Sequence, residues 1–254
     1  MGESTGTQAI ARAALIVRTV ARHADGARLT DLALSTGLSA PTVRRILRCL
    51  IDEGMVLQSS ATRRYQLGPL FAELGLNTSS YRTRATRSQR ALERIASETE
   101  CSVHLTMRSG FETVSIGRAV SGGPIRIATV DVGDRFPIGV GPAGVSMLAA
   151  LDRDEVEAII EVVAPSLPSY LGFDADSLRA EVEFARKHKY AICRERIVPG
   201  VSSIGVLLPP VEGWPPLALS TASITESITG PRRDSVVKQL RTAVREVAEI
   251  LSTS

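Results

Sequence analysis

Apolar residues recur at helical spacing three times within the first 50 residues of this 254-residue chain. Ile10, Ala13, Ala14, Val17, Val20 and Ala21 predict an amphipathic helix ending near His23-Ala24-Asp25-Gly26. Residues 29–50, LTDLALSTGLSAPTVRRILRCL, predict two further helices joined by a tight turn. Ala33 is small where the pair must approach closely, and Gly37 stands at the turn, where the backbone needs a residue tolerant of positive φ. Leu38, Val43 and Ile46 point back into a three-helix core. Ser39 is placed to cap the second helix of the pair, and Pro41 falls in its first turn, where a missing N–H costs little. Val43, Ile46, Leu47 and Leu50 follow the spacing i, i+3, i+4, i+7 and form its buried stripe. The pattern is that of a helix-turn-helix.

Two short strands come next, at residues 55–58 and 65–67, separated by the polar, arginine-bearing run Ser59-Ser60-Ala61-Thr62-Arg63-Arg64. A hairpin in that position is a wing. Gly68-Pro69 ends it, residues 70–76 predict a linking helix, and Asn77-Thr78-Ser79-Ser80 marks a domain boundary before a helix over residues 83–99. The remainder alternates between strands (101–107, 113–118, 125–130, 190–195, 203–208, 217–223) and helices (153–163, 174–188, 231–251). A glycine-rich turn, Gly139-Val140-Gly141-Pro142-Ala143-Gly144, leads into a helix ending near Leu151. In the last helix Val237, Leu240, Val244, Val247 and Leu251 lie three and four residues apart, a stripe better suited to packing on a sheet than to a coiled coil. Antiparallel strands with helices segregated to one side make an α+β fold. The expected organisation is a winged helix-turn-helix over residues 1–68, a linker over 69–82 and a larger domain over 83–254.

Charge separates these two parts. Residues 1–94 hold 14 Arg against 7 Asp or Glu, whereas residues 95–254 hold 16 Arg or Lys against 20 Asp or Glu. The exposed face of the second motif helix carries Pro41, Arg44, Arg45, Arg48 and Asp52, and an arginine face there suits the major groove of double-stranded DNA. Pro41, Thr42 and Arg45 are placed toward base edges. Ser39, Arg44 and Arg48 are placed toward phosphates, with Arg63 and Arg64 at the wing tip reaching phosphate or a minor groove.

Other chemistries find little support. Three cysteines without close spacing argue for a reducing compartment, against a disulfide scaffold and against zinc. No apolar run approaches the ~20 residues of a membrane span, and the N-terminus lacks the pattern of a secretion signal, so the expected location is the cytoplasm. His23, His104 and His188 are isolated in sequence, and His104, inside an apolar strand, reads as a packed core residue. Gly139-x-Gly141-x-x-Gly144 formally matches a dinucleotide fingerprint but lacks the βαβ unit and following acidic residue that such a site needs. No cofactor is expected. Those glycines read instead as a close-approach turn lining a small pocket for an anionic or polar group. Cys193 reads as an ordinary buried thiol rather than a redox sensor.

Taken together, the chain resembles the IclR-type family of bacterial transcription regulators over nearly its whole length. The resemblance rests on the winged motif, on Tyr65-Gln66-Leu67-Gly68 closing the wing, and on the glycine turn leading into Gly144-Val145-Ser146-Met147-Leu148-Ala149. It rests also on Tyr190, Glu195, Gly200-Val201 and residues 204–209 in the family's order. It implies a DNA-binding domain, a linker helix and a GAF-like ligand domain, in a dimer or tetramer reading a palindromic operator. It implies a small-molecule effector, a small organic acid or aromatic compound, bound by Val140, Gly141, Cys193, Ser203, Thr221 and Ser223; a one-residue slip puts Ser220 and Ala222 in place of the last two. The chain departs from the family in having Gly144-Val145-Ser146 for Gly-Lys-Ala, and Cys193 where better-known members have an acidic pocket residue. The competing functions are a small-molecule enzyme, which needs a polar constellation the sequence does not assemble, and a sensor or adaptor using its winged helix for protein contact. The adaptor would call for a neutral or acidic second helix, unlike the one bearing Arg44, Arg45 and Arg48.

Overall fold

A computed structural model describes the backbone of residues 5–23, 25–77, 79–120 and 130–253, and side chains within these except at Thr5 and between 75 and 85. The chain divides into two compact units between Ser79 and Ser80.

The first unit packs α1 (Thr5–Ala21), α2 (Leu29–Thr36) and α3 (Ala40–Asp52) around Ile16, Val20, Leu32, Val43 and Leu47. Gly37 ends α2 at φ +66°, so the turn takes the left-handed conformation that glycine adopts without steric cost. Ser39 occupies the N-cap position of α3, but its hydroxyl is not a cap. It bonds the Thr42 hydroxyl at 2.9 Å, a partner one helical turn away that competes with the backbone amides. The strands β1 (Val56–Gln58) and β2 (Tyr65–Leu67) pair antiparallel with Leu57 opposite Gln66. Tyr65 also exchanges backbone hydrogen bonds with Ala27, which anchors the wing to the segment before α2.

Two helices, α4 (Leu70–Asn77) and α5 (Ser79–Thr99), follow. The run Asn77-Thr78-Ser79-Ser80, expected as a domain boundary, contains the division between the two units and is helical on both sides of residue 78, because these residues start helices as readily as they form turns.

The second unit is built on β3 (Ser102–Ser109), β4 (Glu112–Ala119), β5 (Arg135–Pro137), β6 (Ala191–Arg194), β7 (Val201–Leu207) and β8 (Leu217–Ile224). They form one antiparallel sheet in the order β5-β4-β3-β8-β7-β6. The strand expected over 125–130 lies outside the described residues apart from Val130. β5 is a three-residue strand, too short to show an alternation in sequence.

Helices cover both faces of this sheet, not one. Leu92 and Ile95 of α5 and Val236, Leu240 and Val247 of α9 (Gly230–Ser252) pack with Val103, Leu105, Ile204 and Leu219 in one core. In the other core Ala191, Cys193 and Ala218 meet α6 (Pro142–Leu148), α7 (Arg153–Val163) and α8 (Ala175–His188). Apolar residues on both faces of a strand require two layers of cover, and the order of elements in the chain does not reveal the side to which each helix crosses.

Candidate functional site

Two places in the molecule concentrate functional side chains, one in each unit. In the first, α3 buries Val43, Leu47 and Leu50 and thereby turns Pro41, Arg44, Arg45 and Arg48 outward, all exposed. Thr42 is half-buried and bonded to Ser39. Beside α3 runs a groove whose rim includes Arg28, Arg44, Arg48, Gln58, Thr62 and Arg63. No salt bridge ties Arg28, Arg44, Arg45, Arg48 or Arg63 to a carboxylate among the described residues, so their charge faces solvent uncompensated. Arg63 is exposed at the wing with a left-handed backbone (φ +58°), its carbonyl accepting from Gln58 Nε2 at 3.0 Å. Arg64 is not free at the tip: it donates to the Gly26 carbonyl at 2.8 Å and is half-buried, so its guanidinium braces the wing. Arg28 adds a cation that the helical pattern could not place, because it lies before α2, where no periodicity assigns it a face.

In the second unit a cavity of about 60 Å³ lies between the sheet and the start of α6. Gly205 on β7 permits this approach, since a Cβ there would sit 2.5 Å from the Pro142 carbonyl. Register decides which side chains face inward. On β8, Leu217 and Leu219 join the α5/α9 core and Ala218 the other, so Ser220 and Ala222 share the cavity face. Thr221 borders the cavity but pairs with Val103 and Ile204, which places its side chain on the α5/α9 side. Ser223 has the same parity, bonds the Cys101 thiol and does not line the cavity. The hydroxyl inferred at Ser223 is thus displaced by one residue, and the slipped pair Ser220 and Ala222 faces inward. Val140, Gly141, Cys193 and Ser203 all border the same space.

His104, Ser115 and Arg196 line this cavity and Glu181 stands at its edge; the sequence pattern assigns none of the four to a site and marks His104 as packed core. His104, only 4 % exposed, projects from β3 with neither ring nitrogen hydrogen-bonded, and the Ser115 hydroxyl beside it on the wall is likewise buried without a partner. His104 is therefore a cavity residue rather than satisfied packing. Burial, reinforced by the Arg118 guanidinium, pushes its pKa down to about 4, so the imidazole is neutral. Its signal in sequence is a polar residue at every second position of β3 and β4 (His104 and Thr106, Thr113 and Ser115), a polar stripe inside an otherwise apolar sheet.

Arg196 and Glu181, on separate elements, meet at the cavity's edge. The Arg196 guanidinium, 7 % exposed, forms an ion pair with Glu181, donates to the carbonyls of Gly139 (3.3 Å) and Val140 (3.2 Å) and lies 3.4 Å over the Phe173 ring centroid. One cation thus ties the glycine turn to α8. Cys193 contacts the same pair, its Sγ 3.6 Å from Glu181 and 3.4 Å from Arg196. Burial, then the Glu181 carboxylate, raise its thiol pKa well above normal, so Cys193 stays protonated and poorly nucleophilic.

Comparison with known proteins places these two sites in a family. A profile described as IclR helix-turn-helix domain matches residues 9–60, and one described as Bacterial transcriptional regulator IclR C-terminal matches residues 81–249. The chain belongs to the IclR family. The arginine face of this IclR-family chain lies in its helix-turn-helix segment and the cavity in its effector-binding C-terminal segment, the two parts of a transcription regulator. The chain is 30 % identical over 207 residues to the HTH-type transcriptional regulator Rv1719 of Mycobacterium tuberculosis, covering 81 % of this chain and 78 % of that protein. The crystal structure of an IclR transcriptional regulator from Alicyclobacillus acidocaldarius superposes with a TM-score of 0.69 at 26 % identity, over 97 % of this chain and 99 % of the other. An IclR homologue from Microbacterium hydrocarbonoxydans, complexed with 4-hydroxybenzoate, superposes with a TM-score of 0.70 at 19 % identity, over 97 % and 100 % of the two chains, a likeness of fold. Among the described residues no helix is long and apolar enough to cross a membrane, and no cluster of side chains is arranged to hold a metal ion.

Proposed function

We propose that this regulator reads a palindromic DNA operator through α3, as a dimer or a pair of dimers, and that a small molecule in the α6 cavity controls it. The observation that carries the DNA reading is the exposed, uncompensated row Arg44, Arg45 and Arg48 on the second helix of the motif. Pro41, Thr42 and Arg45 face base edges, while Ser39, Arg44, Arg48 and the wing residue Arg63 hold phosphates and Arg64 braces the wing. One such helix reads only a few base pairs, so useful specificity comes from two half-sites and a two-fold axis. The effector is a small organic acid or aromatic compound, classes to which the ligand of the Microbacterium homologue also belongs. It touches Val140, Gly141, Cys193, Ser203 and the wall around Thr221. A regulator is favoured over an enzyme because the Cys193 thiol is held protonated and His104 has no nucleophile within hydrogen-bond reach.

Anisotropy titrations on an operator selected from random duplexes test the DNA reading. Arg45→Ala is expected to cost about 1–3 kcal/mol and relax specificity at one position, whereas Arg48→Ala weakens all sequences and lowers the salt slope by about 1. Unchanged binding in both variants would exclude this surface.

A further inference from the structure

The cavity walls carry an imbalance that points to the ligand's chemistry. His104 offers a donor and an acceptor on its two ring nitrogens, and the Ser115 hydroxyl adds another of each; all are buried and unpartnered. Buried polar groups without partners are costly, so a ligand that supplies them gains what the empty site lacks. Charge is arranged the opposite way. Among the described residues lining the cavity Arg196 is the one permanent cation, and its terminal nitrogens are already given to Glu181 and to the carbonyls of Gly139 and Val140. Arg118, close to His104, is itself paired with Asp131. The start of α6 adds little, because the helix has seven residues and Pro142 removes an amide from its first turn. A carboxylate entering this space would be a buried charge facing no free cation.

We infer that the cavity selects an uncharged ligand bearing a group that both donates and accepts hydrogen bonds, such as a carboxamide or hydroxyl, and that His104 is the residue that selects it. The inference rests on the reading of this cavity as the effector site. Within the ligand classes given above, it favours uncharged compounds over organic acids.

Matched pairs separate the two ideas. Full-length protein with ¹⁵N-labelled histidine is titrated with propionamide against propionate and with benzamide against benzoate, and the His104 ring resonances are followed. The amides are expected to shift them and to bind at least about tenfold more tightly than the carboxylates, a preference falling below about threefold in His104→Phe. His104→Gln, which keeps a donor and an acceptor, restores it. Gly141→Leu, which adds bulk at a lining residue where the fold itself has room for it, is expected to abolish binding of all four. Carboxylates that bind as tightly as the amides, with His104 responding, overturn the inference but leave the cavity as the effector site. Binding that leaves His104 unmoved and survives Gly141→Leu overturns the cavity reading as well. No response at His104 to any of the four probes overturns the inference.

Discussion

At His104 a polar ring is buried without a hydrogen-bond partner, and the consequence is measurable. With its pKa near 4 in the folded chain against an ordinary 6.5, the unfolded protein binds more protons between those values. Stability from this group is therefore complete above pH 6.5 and is lost as pH falls toward 4, by about 3 kcal/mol in all. His104→Phe is expected to flatten urea-unfolding stability over this window and, without ligand, to raise it at pH 7 by about 1–2 kcal/mol by removing unpartnered nitrogens. An unchanged pH slope would show that another group carries it. The Arg196 cluster behaves inversely. Glu181→Gln leaves a buried guanidinium without its counter-charge, and because Glu181 keeps 26 % of its side chain in solvent the expected loss, read by the same unfolding titration, is about 2 kcal/mol rather than more. At this scale the sequence yielded Arg44, Arg45 and Arg48, whose common face follows from local periodicity. It was silent on Arg196, Glu181 and Phe173, because residues brought together only by the fold leave no spacing to read.

Elements were legible in proportion to their length and period. The helices α3 and α9 carry stripes that burial reproduces, down to Val237, Leu240, Val244, Val247 and Leu251 packed on the sheet, and α7 and α8 fall where their ranges are expected. β5 left no trace in sequence, and the distribution of helices over both faces depends on crossovers that local pattern does not encode. The same limit explains Ser223. Alternation says that neighbouring residues face opposite sides, but only pairing with β3 and β7 says which side is which. Close approach between elements gives a sharper test. Gly205→Ala forces a methyl group against the Pro142 backbone, which cannot step aside as a side chain can. Differential scanning calorimetry is expected to show a loss of about 2–3 kcal/mol, with the cavity opened as α6 lifts. A wild-type melting temperature would mean that α6 lies less tightly on β7 than described.

For the molecule as a whole, the proposed operator symmetry requires more than one copy of the chain. Light scattering at micromolar concentration is expected to give the mass of a dimer or tetramer; a monomer with and without operator would remove the palindrome from the scheme. Regulation adds a reciprocal demand, since a ligand that weakens operator binding by some factor must itself be bound more weakly, by that factor, in the presence of operator. The two-sided sheet has a consequence on another timescale. Along β8 the residues that hold the α5/α9 core and those that face the cavity alternate one by one, so Ser220 and Ala222 are open to replacement while Leu217 and Leu219 stay where they are. A lineage built on this sheet is free to exchange one cavity ligand for another by point substitutions on one side of a strand, and to keep its scaffold through every step of the exchange.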